Sequence, residues 1–361
     1  MKKTKLMKVL AVTMGLTVAI AMLGGCGSSK SSSKSSSGSG KYTKETWKLA
    51  TSTGDKSNWN TAAKYFAKLI NKDTDGAVTV KVYPSDQLSN GDQAGGVQNV
   101  MDGTTDMSIH SNIIYGGLDD QFSVVSLPFL YSSTADVDKV LQGKGFDALS
   151  KAADKKGVKL LAIGENGFRD VTNSKREIKT PADMKGLKIR IAGSSVVLNA
   201  YKDWGADYTK ANWSEVYTGL QTGTYDGQEN PIPTADSSSI QEVQKYCTDW
   251  TGSYDCLLFG MNKDKFNSLP KDEQKLVLKD AKKAMEYQRK LNRKQTQQML
   301  EKWTKDKGIK VHKMTSSEAA QFSKLSKDGY TAYAKLLVKD GHSKSEVKNY
   351  LKQFGITDIN F

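Results

Sequence analysis

Short apolar stretches alternate with segments of helical period, twice over, and this constrains the fold more than anything else in the chain. "TWKLATST" (46–53) reads as a strand, and in "NTAAKYFAKLIN" (60–71) Ala63, Phe66, Ala67 and Ile70 share one helical face. "AVTVKVYP" alternates apolar and polar residues and stops at Pro84, as a half-buried strand does. "DQAGGVQNVMDG" and "TDMSIHS" repeat the helix-strand pair, "VVSLPFL" is a further apolar run, and a helix from about Ala135 to Lys156 leads into "VKLLAIGENG". The pattern then restarts. "LKIRIAG" is a strand, "SSVVLNAYKDWG" a helix closed by Gly205, "WSEVYTGLQTG" a short helix ending at Gly223, and "YDGQENP" and "YDCLLFGMNK" resume strand character. Pro270 with Asp272 and Glu273 opens a helix with the right first-turn chemistry, and its pattern runs to about Asp306, before Gly308. "GIKVHKM" is a last strand, and two amphipathic helices close the chain. Such βα alternation predicts an α/β protein with parallel, doubly wound sheets in two lobes, and a chain of 361 residues suits about two domains. The long helix has the length to bridge both lobes.

The N-terminus is of another kind. Lys2, Lys3, Lys5 and Lys8 precede an apolar run, Val9 to Leu23, of signal-peptide length, too short for a comfortable membrane span. It ends in Leu23-Gly24-Gly25-Cys26, which resembles a bacterial lipobox. Residues 1–25 then read as a lipoprotein signal peptide and Cys26 as the lipidated first residue of the mature chain. "GSSKSSSKSSSGSG" (27–40) has no means of building a core and reaches about 20 Å as a flexible tether. Removing four lysines from the formal charge of +14 leaves +10. The lysines are scattered and no basic-aromatic motif gathers them, so the excess reads as a solvated surface and not as a nucleic-acid site. Cys247 and Cys256, in "CTDWTGSYDC", are either a disulfide, which an extracytoplasmic setting permits, or two buried thiols; spacing alone does not decide. With only His110, His312 and His342, none near the cysteines, neither a metal site nor a cofactor is expected.

A search for catalytic groups finds little. The chain has no G-x-S-x-G elbow, no P-loop and no G-x-G-x-x-G. Gly193-Ser194-Ser195 reads as a helix N-cap. The same segment suits an anion. In doubly wound sheets ligands bind beyond the carboxyl ends of strands; Arg190 lies near such an end, and the helix that follows offers free N–H groups. A guanidinium matches a carboxylate with two parallel donors, and left buried and unpaired it is costly. Arg190 therefore either pairs with a structural Asp or Glu or waits in a cleft for a ligand carboxylate. Arg169, just after "KLLAIG", falls where the crevice should be and tips the balance toward a ligand. Asn230 ends its strand with an amide that both donates and accepts. Trp213 heads a short helix, where it either packs in the core or covers an apolar ligand face.

At these residues the chain resembles a known family. "NGFRDVTNSKREI", "PADMKGLKIRI", "NWSEVYTGLQTGTYDGQENP" and "FNSLPKDEQK", with "KVYPSDQL" and "VMDGTTDM" before them, follow the order found in the solute-binding proteins of TRAP (tripartite ATP-independent periplasmic) transporters, across most of residues 45–340. The resemblance implies a periplasmic-binding-protein-like fold of two α/β lobes with hinge strands and a long helix across both. The first lobe would hold 43–166 plus 256–295 and the second 167–255 plus 296–361, after a lipidated linker at 26–42. It implies capture of an organic acid and delivery to the small and large subunits of a membrane permease. The carboxylate-clamping arginine of "GLKIR" maps onto Arg190, the arginine of "NGxR" onto Arg169, the asparagine of "DGQEN" onto Asn230, and the aromatic before "SEVY" onto Trp213. In sialic-acid-binding members that aromatic is a phenylalanine, and the first lobe supplies acidic and basic residues. Here "IHSNIIYGG" supplies His110, Ser111 and Asn112, which points to a smaller sugar acid or a dicarboxylate. A monomer, lipid-anchored outside the cell membrane of a Gram-positive cell or in a Gram-negative periplasm, is expected. The competing readings are a binding protein of another uptake or sensing system, a lyase on a binding-protein-like fold, for which His110 is the one candidate base, and an adhesin.

Overall fold

The computed structural model describes residues 42–361, so the leader, Cys26 and nearly all of the tether lie outside the described residues. The strands are β1 (Glu45–Thr51), β2 (Val78–Tyr83), β3 (Met107–Ser111), β4 (Val158–Phe168), β5 (Asp170–Asn173), β6 (Lys188–Ile191), β7 (Asp207–Lys210), β8 (Gly227–Asn230), β9 (Tyr246–Asp249), β10 (Tyr254–Asn262) and β11 (Lys310–Lys313). They form two sheets, ordered β2-β1-β3-β10-β4 and β11-β9-β5-β8-β6-β7, one for each lobe. Helices flank the first sheet because its central strands bury both faces; every residue of β10 is buried, and its sequence accordingly reads as one apolar run. Phe66, from the helix Asn58–Asp73, meets Phe259 of β10 edge to face at 4.9 Å.

The sheets are mixed, not wholly parallel. β1 runs parallel to β2 and β3, but β10 is antiparallel to both β3 and β4, and β5 is antiparallel to β8 and β9. The cause is the path of the chain. It passes from the first sheet to the second at Arg169, between β4 and β5, and returns between β9 and β10. A strand that enters directly from the other lobe need not share the direction set by βα crossovers.

The third connection is the helix Lys271–Asp306, whose 36 residues span about 54 Å. Val277, Ala281, Ala284 and Met285 bury it against the first sheet. Trp303, near its far end, packs with Val216, Leu220 and Ile309 of the second lobe and donates Nε1 to Asp236 at 2.8 Å. Where it crosses β4 the helix presents amides. Gln288 accepts from the Glu165 N–H (2.8 Å) and donates to the Glu165 carbonyl (2.7 Å), and Asn292 donates to the Asn166 carbonyl (2.9 Å). Arg293 bridges the buried Glu165 carboxylate to Asp138. Backbone groups at the crossing are thus satisfied without a sheet partner.

Several expectations change. The helix foreseen over 135–156 is two, Thr134–Leu141 and Lys144–Lys155, parted at Gln142-Gly143. The apolar run "VVSLPFL" begins inside the 3₁₀ turn Asp120–Ser126 and leaves it at Leu127. Three helices close the chain, Ser316–Leu325, Lys327–Lys339 and Lys344–Lys352. β11 joins the second sheet, but Tyr333, Leu337, Val347 and Leu351 share one apolar cluster with Leu141 and Leu149. The end of 296–361, expected in the second lobe, therefore packs on helices of the first.

Cys247 and Cys256 are both free and buried. No disulfide joins them, because the return crossing separates them: Cys247 sits on β9 among residues of the second lobe, Cys256 on β10 among residues of the first. Burial, with nearby carboxylates adding to it, raises both thiols well above their ordinary range. Alkylation of the native chain followed by peptide mass mapping should leave both thiols unmodified, and both should react once the chain is unfolded without reductant. A cross-linked 247–256 peptide would contradict this arrangement.

Candidate functional site

The carboxyl ends of β1, β3, β6 and β8 converge on the strands that cross between lobes. There they line a narrow, half-open cavity of about 20 Å³, room for about one water. The first lobe contributes Ser52, Thr53, Trp59 and Ser111, the second Arg190, Trp213 and Asn230. Asn166, Arg169 and Asp255 come from the two crossings. An organic acid needs more room than this, so the cavity must widen to hold one.

Arg190 is 1% exposed. Its Nε and Nη2 both donate to one carbonyl, that of Ala211, at 2.9 and 2.6 Å. Its Cζ lies 5.5 Å from the centre of the Trp213 ring, a cation–π contact. Among the described residues no carboxylate comes within 4.0 Å, and Nη1 makes no hydrogen bond. Burial pushes the guanidinium down to about 10; Glu229 offsets part of this and Arg169 adds to it. It stays charged at neutral pH, so the cavity wall holds a desolvated cation whose cost the protein leaves largely unmet.

Arg169 is the opposite case. It is equally buried, but it donates Nε to Glu229, Nη1 to Asp255, and Nη2 to both the carboxylate and the carbonyl of Glu229, the last two at 2.8 and 2.7 Å. Burial alone would lower its pKa; Glu229 and Asp255 hold it above the ordinary value. Asp255 also accepts from Ser111 Oγ and Asn166 Nδ2, both at 2.7 Å, yet burial still raises its carboxyl.

The remaining foreseen residues divide. Trp213 lines the cavity and donates Nε1 to Ser238 at 3.1 Å. Asn230 lines it too, its Nδ2 donated to Gln228 at 3.0 Å. Ser111 lines it and also caps the helix Asn112–Gly116. His110 does not reach the cavity. It points to the other face of β3, buried against Gly96, and its Nε2 lies 2.7 Å from Asp86. Adjacent residues of a strand face opposite ways, so only one of His110 and Ser111 can serve the cleft. Residue reasoning missed Ser52, Trp59, Gln93, Glu229 and Asp255. Glu229 and Asp255 carried a signal: acids inside otherwise buried strands next to the two arginines.

The lobes also meet at the rims. Gln93 Oε1 accepts from the Trp213 N–H at 3.0 Å. Ser194, at the N-cap position, turns its hydroxyl across to Ser123 (3.0 Å) instead of capping its own helix, and Ser195 reaches Asp120. A Cβ on Gly117 would lie 3.4 Å from the Gly193 carbonyl across the rim and 3.3 Å from the Ile114 carbonyl of its own lobe, so the two γ-carbons of a valine would crowd both. Gly117→Val should therefore hinder closure, weakening ligand affinity by about tenfold. Gly117→Ala, which adds the Cβ alone, should weaken affinity less than Gly117→Val; an unchanged affinity in both would show that this rim does not approach on closing.

A two-lobed α/β body that holds a desolvated, unpaired guanidinium between its lobes defines a solute receptor of the periplasmic-binding type. Residues 49–336 match the description "Bacterial extracellular solute-binding protein, family 7", and the chain belongs to that family, the solute-binding proteins of TRAP transporters. It is 39% identical over 250 residues to the 2,3-diketo-L-gulonate-binding periplasmic protein YiaO of Escherichia coli, covering 69% of this chain and 75% of that one. It is 31% identical over 266 residues to the C4-dicarboxylate-binding periplasmic protein DctP of Rhodobacter capsulatus, covering 73% and 78%. The crystal structure of the sugar acid binding protein DctPAm of Advenella mimigardefordensis, in complex with galactonate, superposes with a TM-score of 0.78 at 29% identity, covering 87% of this chain and 98% of that one.

Proposed function

We propose that this chain captures an organic acid, a sugar acid or a dicarboxylate, between its lobes and hands it to the two membrane subunits of a TRAP-type permease. The observation that carries this reading is Arg190, buried with one carbonyl as its hydrogen-bond acceptor and no carboxylate as its counter-ion. The named ligands of the relatives, a diketogulonate, C4-dicarboxylates and galactonate, are all acids and support the same chemistry. Capture without conversion fits the site, since His110, the one base considered, lies outside the cavity with Asp86. The basic leader, the apolar run and Leu23-Gly24-Gly25-Cys26 support a receptor anchored by lipid on Cys26 to the outer face of the cell membrane, and the lipid anchor with its serine-rich tether suits a Gram-positive surface.

Calorimetry on a panel of uronates, aldonates, keto acids and dicarboxylates, with neutral sugars as controls, tests the reading. A shift to Arg190→Ala should cost about 3 kcal/mol or more, at least 100-fold in affinity, because a buried ligand carboxylate loses its partner. Arg190→Lys should also bind poorly, since an ammonium cannot form the planar fork. Micromolar binding retained by Arg190→Ala, or binding of neutral sugars alone, would remove the clamp. Separately, Cys26→Ser should move the protein from the membrane fraction to the soluble fraction; unchanged membrane association would remove the lipid anchor.

A further inference from the structure

Each lobe presents different chemistry to the cavity, and the difference bears on the ligand's charge. This inference rests on the organic-acid reading and narrows it. On the second-lobe side stands Arg190 with its unpaired Nη1. The other guanidinium, Arg169, is already neutralised by two carboxylates, Glu229 and Asp255. The next cation, Lys210, lines a separate hollow of about 360 Å³ beyond Ala192, and there it is accompanied by Asp92 and Glu215. Among the described residues the cavity therefore offers one guanidinium, Arg190, with no carboxylate in direct contact.

Facing it, the first lobe offers neutral groups that the protein leaves without partners. Ser52 is 4% exposed and Trp59 3% exposed, and both line the cavity. Ser52 Oγ and Trp59 Nε1 are buried with no hydrogen bond. Buried donors are nearly always paired, so two orphans in one small cavity mark positions a ligand oxygen should take. Neither carries charge. Asp255, also on the wall, presents acceptor oxygens, which suit a ligand hydroxyl and offer a second carboxylate no donor.

We infer that the ligand is a singly charged, oxygen-rich acid, its carboxylate on Arg190 and its far hydroxyl or keto oxygens on Ser52 and Trp59, and that dicarboxylates are excluded. The inference separates the two halves of the class proposed above. It also assigns Ser52 and Trp59 as specificity residues, and Asp255 as the group that turns away a second carboxylate.

Matched pairs differing only at the far carbon provide the test: D-galactonate against galactarate and, four carbons long, D-erythronate against meso-tartrate, with galactitol as the uncharged control. Titrated into the full chain, the monoacid of a pair should bind about 100-fold more tightly than its diacid. Trp59→Phe, which keeps a ring but removes the N–H, should weaken the monoacid on the order of tenfold. Asp255→Asn should narrow the gap between monoacid and diacid. A diacid binding as well as its monoacid would overturn the inference and leave the organic-acid reading standing. Binding of galactitol as tight as galactonate, or monoacid affinity untouched by Arg190→Ala, would instead overturn the organic-acid reading itself. Full monoacid affinity in both Trp59→Phe and Ser52→Ala would remove these two residues from the site and with them the inferred orientation.

Discussion

The interaction on which the rest depends is the Arg169 ion cluster. Arg169 stands at the first crossing between lobes, Glu229 on the second sheet and Asp255 at the head of β10 in the first. One guanidinium thus ties together both sheets and both hinge strands. Burying three charges is expensive, and geometry this complete is what makes such a cluster tolerable. Ser111 and Asn166, which complete Asp255, also line the cavity. The hinge and the binding wall are therefore one hydrogen-bonded unit, and a ligand touching the wall bears directly on the hinge.

The cluster also sets the electrostatics around it. Because Arg169 is satisfied internally, it acts as scaffold more than as clamp, and the ligand's charge falls to Arg190. The Trp213 ring and the Ala211 carbonyl hold that side chain in place without neutralising it. Trp213 is in turn fixed through its backbone N–H to Gln93 of the first lobe and through its indole N–H to Ser238. Closure therefore orders the clamp as well as covering it.

Much of the architecture was legible in the sequence. The long apolar strands, the first helix and the end of the bridging helix at Asp306 fall where periodicity places them, since a buried strand or an amphipathic face needs many residues of one kind. β5, β7 and β9 did not stand out. "DVTN", "DYTK" and "YCTD" are four residues each, mostly polar, and every residue of β7 is exposed. Arg190 and Arg169 were legible by position, but their different roles were not. Glu229 and Asp255 lie 60 and 86 residues from Arg169, and no local pattern encodes such pairings. His110 was misplaced because resemblance locates a segment and not which face of its strand each residue takes.

The question that Arg190 raises in the sequence has a physical answer in the closed structure. With the lobes apart, water solvates the guanidinium. With the lobes together and no anion, the protein must bear a desolvated cation beside two unpaired neutral donors. An acid removes that cost, and it does so only in the closed form, where low polarity strengthens each charge-assisted bond. A ligand shifts a conformational equilibrium by its differential affinity for the two states, and here nearly all of that difference comes from groups the fold leaves unsatisfied. The incomplete site is thus the source of closure: an Arg190 paired with an internal carboxylate would stabilise the empty closed form, and closing would no longer report that a ligand had been caught.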